Sequence, residues 1–307
     1  MEAFENYVGS APGRAVILAV MFVGACGRMR FDQVGDAVLD SSTVCPSWGP
    51  FSAPSRLAGP AQTASDDWFP TPSSNELELY FYTSVGTSFD IVRSTRATRS
   101  DLFPAASSVS GVNSSSTDEK TPTLTEDGLV MVFSRLGSSY DLIEATRSST
   151  SEDFGSGASL TSLNTETRNE ISPWLSPDGL RLLYVCDGLI CESSRSDRGA
   201  GWETPFVHTE LQHGDLQDSP TTTADGLDMW FAEGVIGDFN IYTAHRPTLQ
   251  AQFGAPTPVL VLDSSRDDLG LRLSHDGATM YLNYDALFSG NGNADLWTAT
   301  RACLDPR

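Results

Sequence analysis

The sequence predicts an all-β fold: a five-bladed β-propeller of four-stranded antiparallel blades, its ring closed by an N-terminal strand that completes the last blade. Three observations carry this expectation: a turn motif repeated roughly every 50 residues, an alternating apolar run after each turn, and a mismatch of phase between the chain ends. Composition agrees. Of 307 residues 39% are hydrophobic and 19% charged, with 26 Gly and 17 Pro, which describes a turn-rich globular chain and excludes a coiled coil. The 19 basic against 40 acidic residues give a formal charge of -21, which repels phosphate backbones and so argues against nucleic acid.

The repeat justifies each strand in turn. The motif reads PTLTEDG at 122–128, PWLSPDG at 173–179, PTTTADG at 220–226 and LRLSHDG at 271–277, with a degenerate copy, PTPSSNE, at 70–76. The segment leading into each turn is the first strand, which in a propeller lines the central channel. After the turn come LELYF at 77–81, LVMVF at 129–133, LRLLY at 180–184, LDMWF at 227–231 and ATMYL at 278–282, whose period of two after Asp-Gly signals a hairpin and a second strand. A third strand begins at DIV 90–92, DLI 141–143, LIC 189–191, NIY 240–242 and DLW 295–297, and each copy is followed by Arg96, Arg147, Arg195, Arg246 or Arg301. A fourth opens on an aromatic, at Phe51, Phe103, Phe154, Trp202 and Phe253, with a nearby Pro in several copies marking an edge. No fourth strand follows Arg301, while an unpartnered one sits at Phe51. The N-terminal strand therefore completes the last blade and removes an open edge.

The segment SPWLSPDGLRLLY at 172–184 resembles the TolB-type, WD-like propeller repeat of bacterial periplasmic and surface proteins, and the resemblance extends over about residues 50–301. It implies a propeller used as a docking surface, a non-enzymatic binding module for a protein or peptide at a channel mouth or rim loops. A second resemblance lies at the N-terminus. A nine-residue apolar run at 15–23 follows Arg14, is too short to span a bilayer, and ends in VGAC at 23–26, which resembles the lipobox of bacterial lipoproteins. That implies a signal peptide over 1–26, lipidation at Cys26, a tether over 27–48 and a propeller over 49–307. Gly27 favours the outer membrane, so the expected location is exported, lipid-anchored at the outer membrane or periplasmic.

The remaining four of five cysteines suit an oxidising compartment and allow two disulfides. Cys45 and Cys303 map to one loop and would clasp the ring. Cys186 and Cys191 flank the short hairpin DGLI at 187–190 and would bridge it.

Three positions before the aligned Pro, or Leu271 in the last copy, stand Asp67, Glu119, Glu170, Gln217 (with Asp218 beside it) and Asp268. These could form an acidic ring for a cation or a basic group, or each could cap its own turn, and recurrence with the fold favours capping. Departures from symmetry, Trp68, Trp174 and the loop 285–293 with Phe288, are the further ligand-binding candidates. The recurrent Asp90, Asp141 and Asp295, with Asn240, offer oxygen ligands for calcium but lack the spacing of a calcium loop, so hairpin register is the better reading and no cofactor is expected. The cluster of His208, Glu210, His213 and Asp215 matches no metal signature. No nucleophile elbow, phosphate loop or dinucleotide fingerprint is present, and no catalytic residue is assigned. The leading expectation is a monomeric, envelope-anchored binding module favouring basic partners. The alternative is a five-bladed glycosidase or sugar-binding protein that uses the channel carboxylates, with Asp67, Glu119 and Glu170 as candidate acids.

Overall fold

The Asp-Gly turns are built by their own side chains. In the second copy Thr125 Oγ1 donates to Asp127 Oδ1 at 2.6 Å, that oxygen accepts the Leu129 N–H, and Thr125 Oγ1 accepts the Val130 N–H. Ser176 with Asp178, Thr223 with Asp225 and Ser274 with Asp276 repeat the network. The degenerate copy repeats it too, through Ser73 and Asn75. There Glu76 occupies the left-handed conformation (φ 56°) that glycine takes in the other four, and the Tyr281 hydroxyl donates to its carboxylate at 2.7 Å.

The computed structural model of the chain describes residue 45 and residues 47–59, 61, 63, 65–265, 267–285 and 294–304. The signal-peptide segment with Cys26, nearly all of the tether, and Phe288 lie outside them. After β1 (Ser55–Arg56), blade 1 comprises β2 (Asp67–Pro72), β3 (Glu78–Val85), β4 (Ser88–Thr95) and β5 (Ser107–Ser108). Blade 2 comprises β6 (Glu119–Leu124), β7 (Val130–Leu136), β8 (Tyr140–Thr146) and β9 (Ala158–Ser159); blade 3 comprises β10 (Glu170–Leu175), β11 (Arg181–Cys186), β12 (Leu189–Ser194) and β13 (Phe206–Val207). Blade 4 comprises β14 (Leu216–Thr222), β15 (Asp228–Val235), β16 (Asp238–His245) and β17 (Thr257–Pro258). Blade 5 comprises β18 (Asp268–Leu273), β19 (Thr279–Asp285), β20 (Ala294–Thr300) and the N-terminal β1 as its outer strand. All strand pairs are antiparallel, and β2, β6, β10, β14 and β18 contact one another in sequence around the ring. The fold is thus an all-β, five-bladed propeller. One expectation needs correction: the outer strands are two residues long and start four residues after the aromatic, not on it. The prolines and glycines after each aromatic keep that stretch out of the ladder.

Alternation on the second strands explains why both faces are apolar. Tyr80 and Tyr82 pack with Met131 and Phe133 of blade 2, whereas Leu79 and Phe81 pack with Tyr281 and Leu296 of blade 5. The core therefore lies between blades. A residue of either parity is buried because each sheet has a sheet on both sides.

The conserved register of arginine and aromatic in each copy has a single cause. Arg96, Arg147, Arg195, Arg246 and Arg301 each donate Nε–H to the carbonyl of the turn residue Glu76, Gly128, Gly179, Gly226 or Gly277. Each guanidinium also lies 4.1–4.8 Å from the ring centroid of Phe103, Phe154, Trp202, Phe253 or Phe51. Arg147, Arg195 and Arg246 further pair with Glu78, Glu144 and Glu192 of the preceding blade. In blade 5 the aromatic is Phe51, supplied from the other end of the chain. Gly49 N–H donates to Ala302 O, Ser52 N–H to Thr300 O, and Cys45 is disulfide-bonded to Cys303 with Cα atoms 5.6 Å apart. The second disulfide joins Cys186 and Cys191, a diagonal pair across the two-residue turn Asp187-Gly188.

Candidate functional site

Every inner strand carries the same irregularity. The register slips by one residue after Trp68, Lys120, Ile171, Asp218 and Leu269, and the next residue, Phe69, Thr121, Ser172, Ser219 or Gly270, has φ between 51° and 67°. Only blade 5 uses glycine there. A Cβ at Gly270 would stand 2.0 Å from Asn283 Oδ1 and 3.0 Å from Phe69 Cα. The bulge divides each strand into a part before it, at the mouth where the inner strands begin, and a part after it, at the Asp-Gly turn mouth.

The repeated acids sit before the bulge, and each is held by the loop that leads into its own strand. Asp67 accepts the Thr63 N–H (2.6 Å) and hydroxyl, Glu119 the Ser114 N–H (2.9 Å) and Thr117 hydroxyl, Glu170 the Thr165 N–H (3.1 Å) and hydroxyl, and Asp268 the Ser264 N–H (2.7 Å) and hydroxyl. All four are buried. Burial pushes the Asp67 and Glu170 carboxyls up against these hydrogen bonds, and lifts Asp268 to about 7. Glu119 also accepts from Arg135 at 2.8 Å. Gln217 differs: its Oε1 accepts the Ile190 N–H of blade 3 and its Nε2–H donates to Leu211 O.

The residue after each acid breaks the symmetry: Trp68, Lys120, Ile171, Asp218 and Leu269. Trp68 is half-buried against Phe69 and Tyr82. Lys120, the only lysine in the chain, lies 4.1 Å from the Phe89 ring, 4.9 Å from Tyr140 and 5.8 Å from Tyr82, and 3.3 Å from Asp118. Burial lowers its pKa despite Asp118. Asp218 lies half-buried on the inner strand of blade 4. Its Oδ1 accepts from Ser172 Oγ (2.6 Å) and from Ser219 N (2.5 Å) and Oγ (3.2 Å), whereas its Oδ2 has no hydrogen-bond partner among the described residues. Burial pushes this carboxyl up, against the hydrogen bonds and the opposite charge of Arg272.

Beyond the bulge the channel is closed by Arg272 and Trp174. Arg272 donates to Pro173 O at 2.6 Å and Leu271 O at 2.8 Å, and burial lowers its pKa to about 10. Trp174 belongs to the apolar cluster between blades 3 and 4 and, with Arg272 and turn residues from all five blades, lines a cavity of about 70 Å³. Trp68 and Trp174 thus fall at opposite ends. A larger cleft of about 450 Å³ opens at the strand-start mouth between blades 3 and 4, with Asp218 and Gln217 at its base.

The polar cluster of the blade 3 to blade 4 connection divides. His208 is buried between Glu192 (2.9 Å) and Glu210 (2.8 Å), while His213 turns to Glu233 at 2.9 Å. Asp90, Asp141, Asn240 and Asp295 share one register place on the third strands, and Asp295 pairs with Arg56 at 2.6 Å. Among the described residues no group of three or more His, Cys, Asp and Glu is placed to hold a metal ion. Sequence reasoning missed Lys120, whose solitary status was a usable signal, and Arg272, whose place at the plug is set by packing alone.

No protein-family model matches the chain, and no curated protein matches it. Solved structures share its fold. An α-L-arabinofuranosidase from Podospora anserina in complex with cellotriose aligns with a TM-score of 0.54 at 10% identity, over 84% of this chain and 97% of that one. The catalytic domain of a GH62 α-L-arabinofuranosidase from Coprinopsis cinerea aligns with 0.52 at 9%, over 83% and 96%. TolB from Acinetobacter baumannii aligns with 0.46 at 15%, and the chain, covered over 78%, spans 55% of that protein's length. The two arabinofuranosidases share the fold of this chain.

Proposed function

We propose that the chain is a non-enzymatic, TolB-like binding propeller that holds a protein or peptide ligand at the strand-start mouth of its channel. One observation carries this reading: the four repeated carboxylates, Asp67, Glu119, Glu170 and Asp268, each serve as acceptors for their own loops. A glycosidase needs two carboxyl groups facing one sugar at about 5–9.5 Å, one protonated and one ionised. Asp218 is the nominated acid with an oxygen left over, and it has no matching partner among the nominated set. The formal charge of -21 favours basic ligands. We place the protein outside the cytoplasm, anchored through a lipid on Cys26, and the two disulfides support an oxidising compartment.

A sugar-directed reading stands second, favoured by the alignment with the two arabinofuranosidases at TM-scores above 0.5. The separating experiment incubates the full chain with 4-nitrophenyl α-L-arabinofuranoside and with xylotriose. The binding reading expects no turnover; hydrolysis that disappears in Asp218→Asn would replace it with the glycosidase reading.

A further inference from the structure

We propose that the cleft between blades 3 and 4 is a docking site for a polypeptide segment presenting one basic side chain, arginine or lysine, flanked by aliphatic residues. The inference deepens the binding-propeller reading and rests on it.

The cleft exists because one hairpin is short. The strands β11 and β12 are 6 residues long, whereas β3, β4, β15 and β16 are 8. At about 3.3 Å per residue the blade 3 hairpin ends about 7 Å below its neighbour. Its tip is the tight turn Asp187-Gly188, with φ of 56° and 77°, strapped by the Cys186 to Cys191 disulfide. The flank of blade 4 is therefore left uncovered. Ile236 is 84% exposed at the blade 4 tip and Leu216 45% exposed beside Gly188, and with Ile171, Val185 and Phe239 they form apolar walls. The same seam departs from the repeat in sequence. Where Asp118, Asn169 and Asp267 accept the N–H of Phe89, Tyr140 and Phe239 in the preceding blade, blade 4 has the apolar Leu216, and Gln217 instead accepts the Ile190 N–H, the bond that Asn113, Asn164 and Asp263 accept at the other seams.

At the base lies Asp218, with Oδ1 held by three donors and Oδ2 free of any among the described residues. Arg272, the cation nearest to it in electrostatic effect, is occupied by the carbonyls of Pro173, Leu271 and Pro220. A half-buried carboxylate beside apolar walls, with no cation hydrogen-bonded to it among the described residues, draws one from outside. At the rim Arg168 and Asp187 pair at 3.5 Å, with side chains 58% and 62% exposed. So exposed a pair contributes little and opens at low cost, and opening it frees Asp187 as a second anion. The walls suit the methylene stem of lysine or arginine while its head reaches Asp218. Ile236 and Leu216 extend the apolar area beyond one stem, which a bare cation would leave wet and flanking aliphatic residues would cover. The cleft volume of about 450 Å³ accepts one such side chain and the residues beside it.

The test titrates the full chain with the peptide acetyl-Gly-Leu-Arg-Leu-Gly-amide, with its citrulline analogue, which keeps the shape and loses the charge, and with agmatine. The arginine peptide is expected to bind, with the citrulline peptide and agmatine each at least about tenfold weaker. Asp218→Asn, which keeps an acceptor for Ser172 and Ser219, is expected to weaken the arginine peptide at least about tenfold, and Ile236→Ser several-fold. Glu126→Gln, at the opposite mouth, is expected to leave it unchanged. Equal binding of arginine and citrulline peptides, equal binding by Asp218→Asn, or no binding at about 1 mM peptide overturns the proposal. If Asp218→Asn does not fold, unchanged binding by Ile236→Ser overturns it instead. Agmatine binding as tightly as the peptide would assign the cleft to small cations and overturn the polypeptide assignment. None of these failures touches the binding-propeller reading, which falls only to sugar hydrolysis.

Discussion

The two mouths of the channel are made by the same five strands and differ in kind. At the turn mouth all five blades repeat one network, hydroxyl to Asp or Asn to backbone, locked by an arginine stacked on an aromatic. At the strand-start mouth the acids repeat but their successors do not, and the seam between blades 3 and 4 loses a latch, two residues of hairpin per strand, and its cover. Fivefold repetition marks what the ring needs to close, whereas the places free to vary are those where a ligand can be distinguished from solvent.

That contrast can be broken by mutation. The largest expected effect is at the turn mouth: Arg246→Ala removes a buried guanidinium from Gly226 O, the Phe253 ring and Glu192, leaving Glu192 buried with less compensation. A loss of about 3–5 kcal/mol is expected in urea unfolding. Arg96→Ala, at a half-buried copy with no glutamate pair among the described residues, should cost clearly less; equality of the two would mean that burial of the ion pair is irrelevant. Next, Cys303→Ser opens a disulfide spanning 258 residues and is expected to cost about 2–5 kcal/mol, against about 2 kcal/mol for Cys191→Ser, whose bridge spans 5. Thermal unfolding of the two variants without reductant reads the difference.

A smaller effect sharpens the acid comparison. Burial lifts Asp268 to about 7, above its ordinary value of 3.8, so between those limits the folded chain binds more proton than the unfolded one. Its contribution to stability is fully present below about pH 4 and is lost as pH rises through about 7. The turn acids Asp127, Asp178 and Asp276 run oppositely: burial pushes them up, but hydrogen bonds outweigh it and hold them low, so their contribution is lost as pH falls below about 4. Asp268→Asn should therefore gain on the unaltered chain as pH rises from about 4 to 7. A stability difference that stays flat across urea titrations in that window would show that Asp268 titrates normally. The smallest effect belongs to the cleft rim, where Ile236→Ser should change stability by less than about 0.5 kcal/mol, because the side chain is 84% exposed.

Much of the fold could be read from residue order. Spacing alone counts the blades, because Asp-Gly followed by an alternating run is a local instruction, and the stray aromatic at Phe51 discloses the closure. The pairing of Cys45 with Cys303 followed from the same register. Arg301 and Phe51 were visible as members of two recurring sets, but nothing local said that one stacks on the other, since they are neighbours only after the ring closes. The acids were found by recurrence, and their role as caps needed the loops to be placed. Trp174 stood out as a ligand-binding candidate and lies in the core between blades. Lys120 drew no attention because its cage is assembled from Tyr82 and Phe89 of blade 1 and Tyr140 of blade 2.

The amino-acid order by itself determined the strands, the five copies, the circular closure and the acidic character, because turn chemistry and period-two alternation act over a few residues and repeat. Only the tertiary structure decided which acids are occupied and where the ring is open. Those properties depend on how far one hairpin reaches beside the next and on which backbone groups arrive from another blade, distances that no single repeat contains.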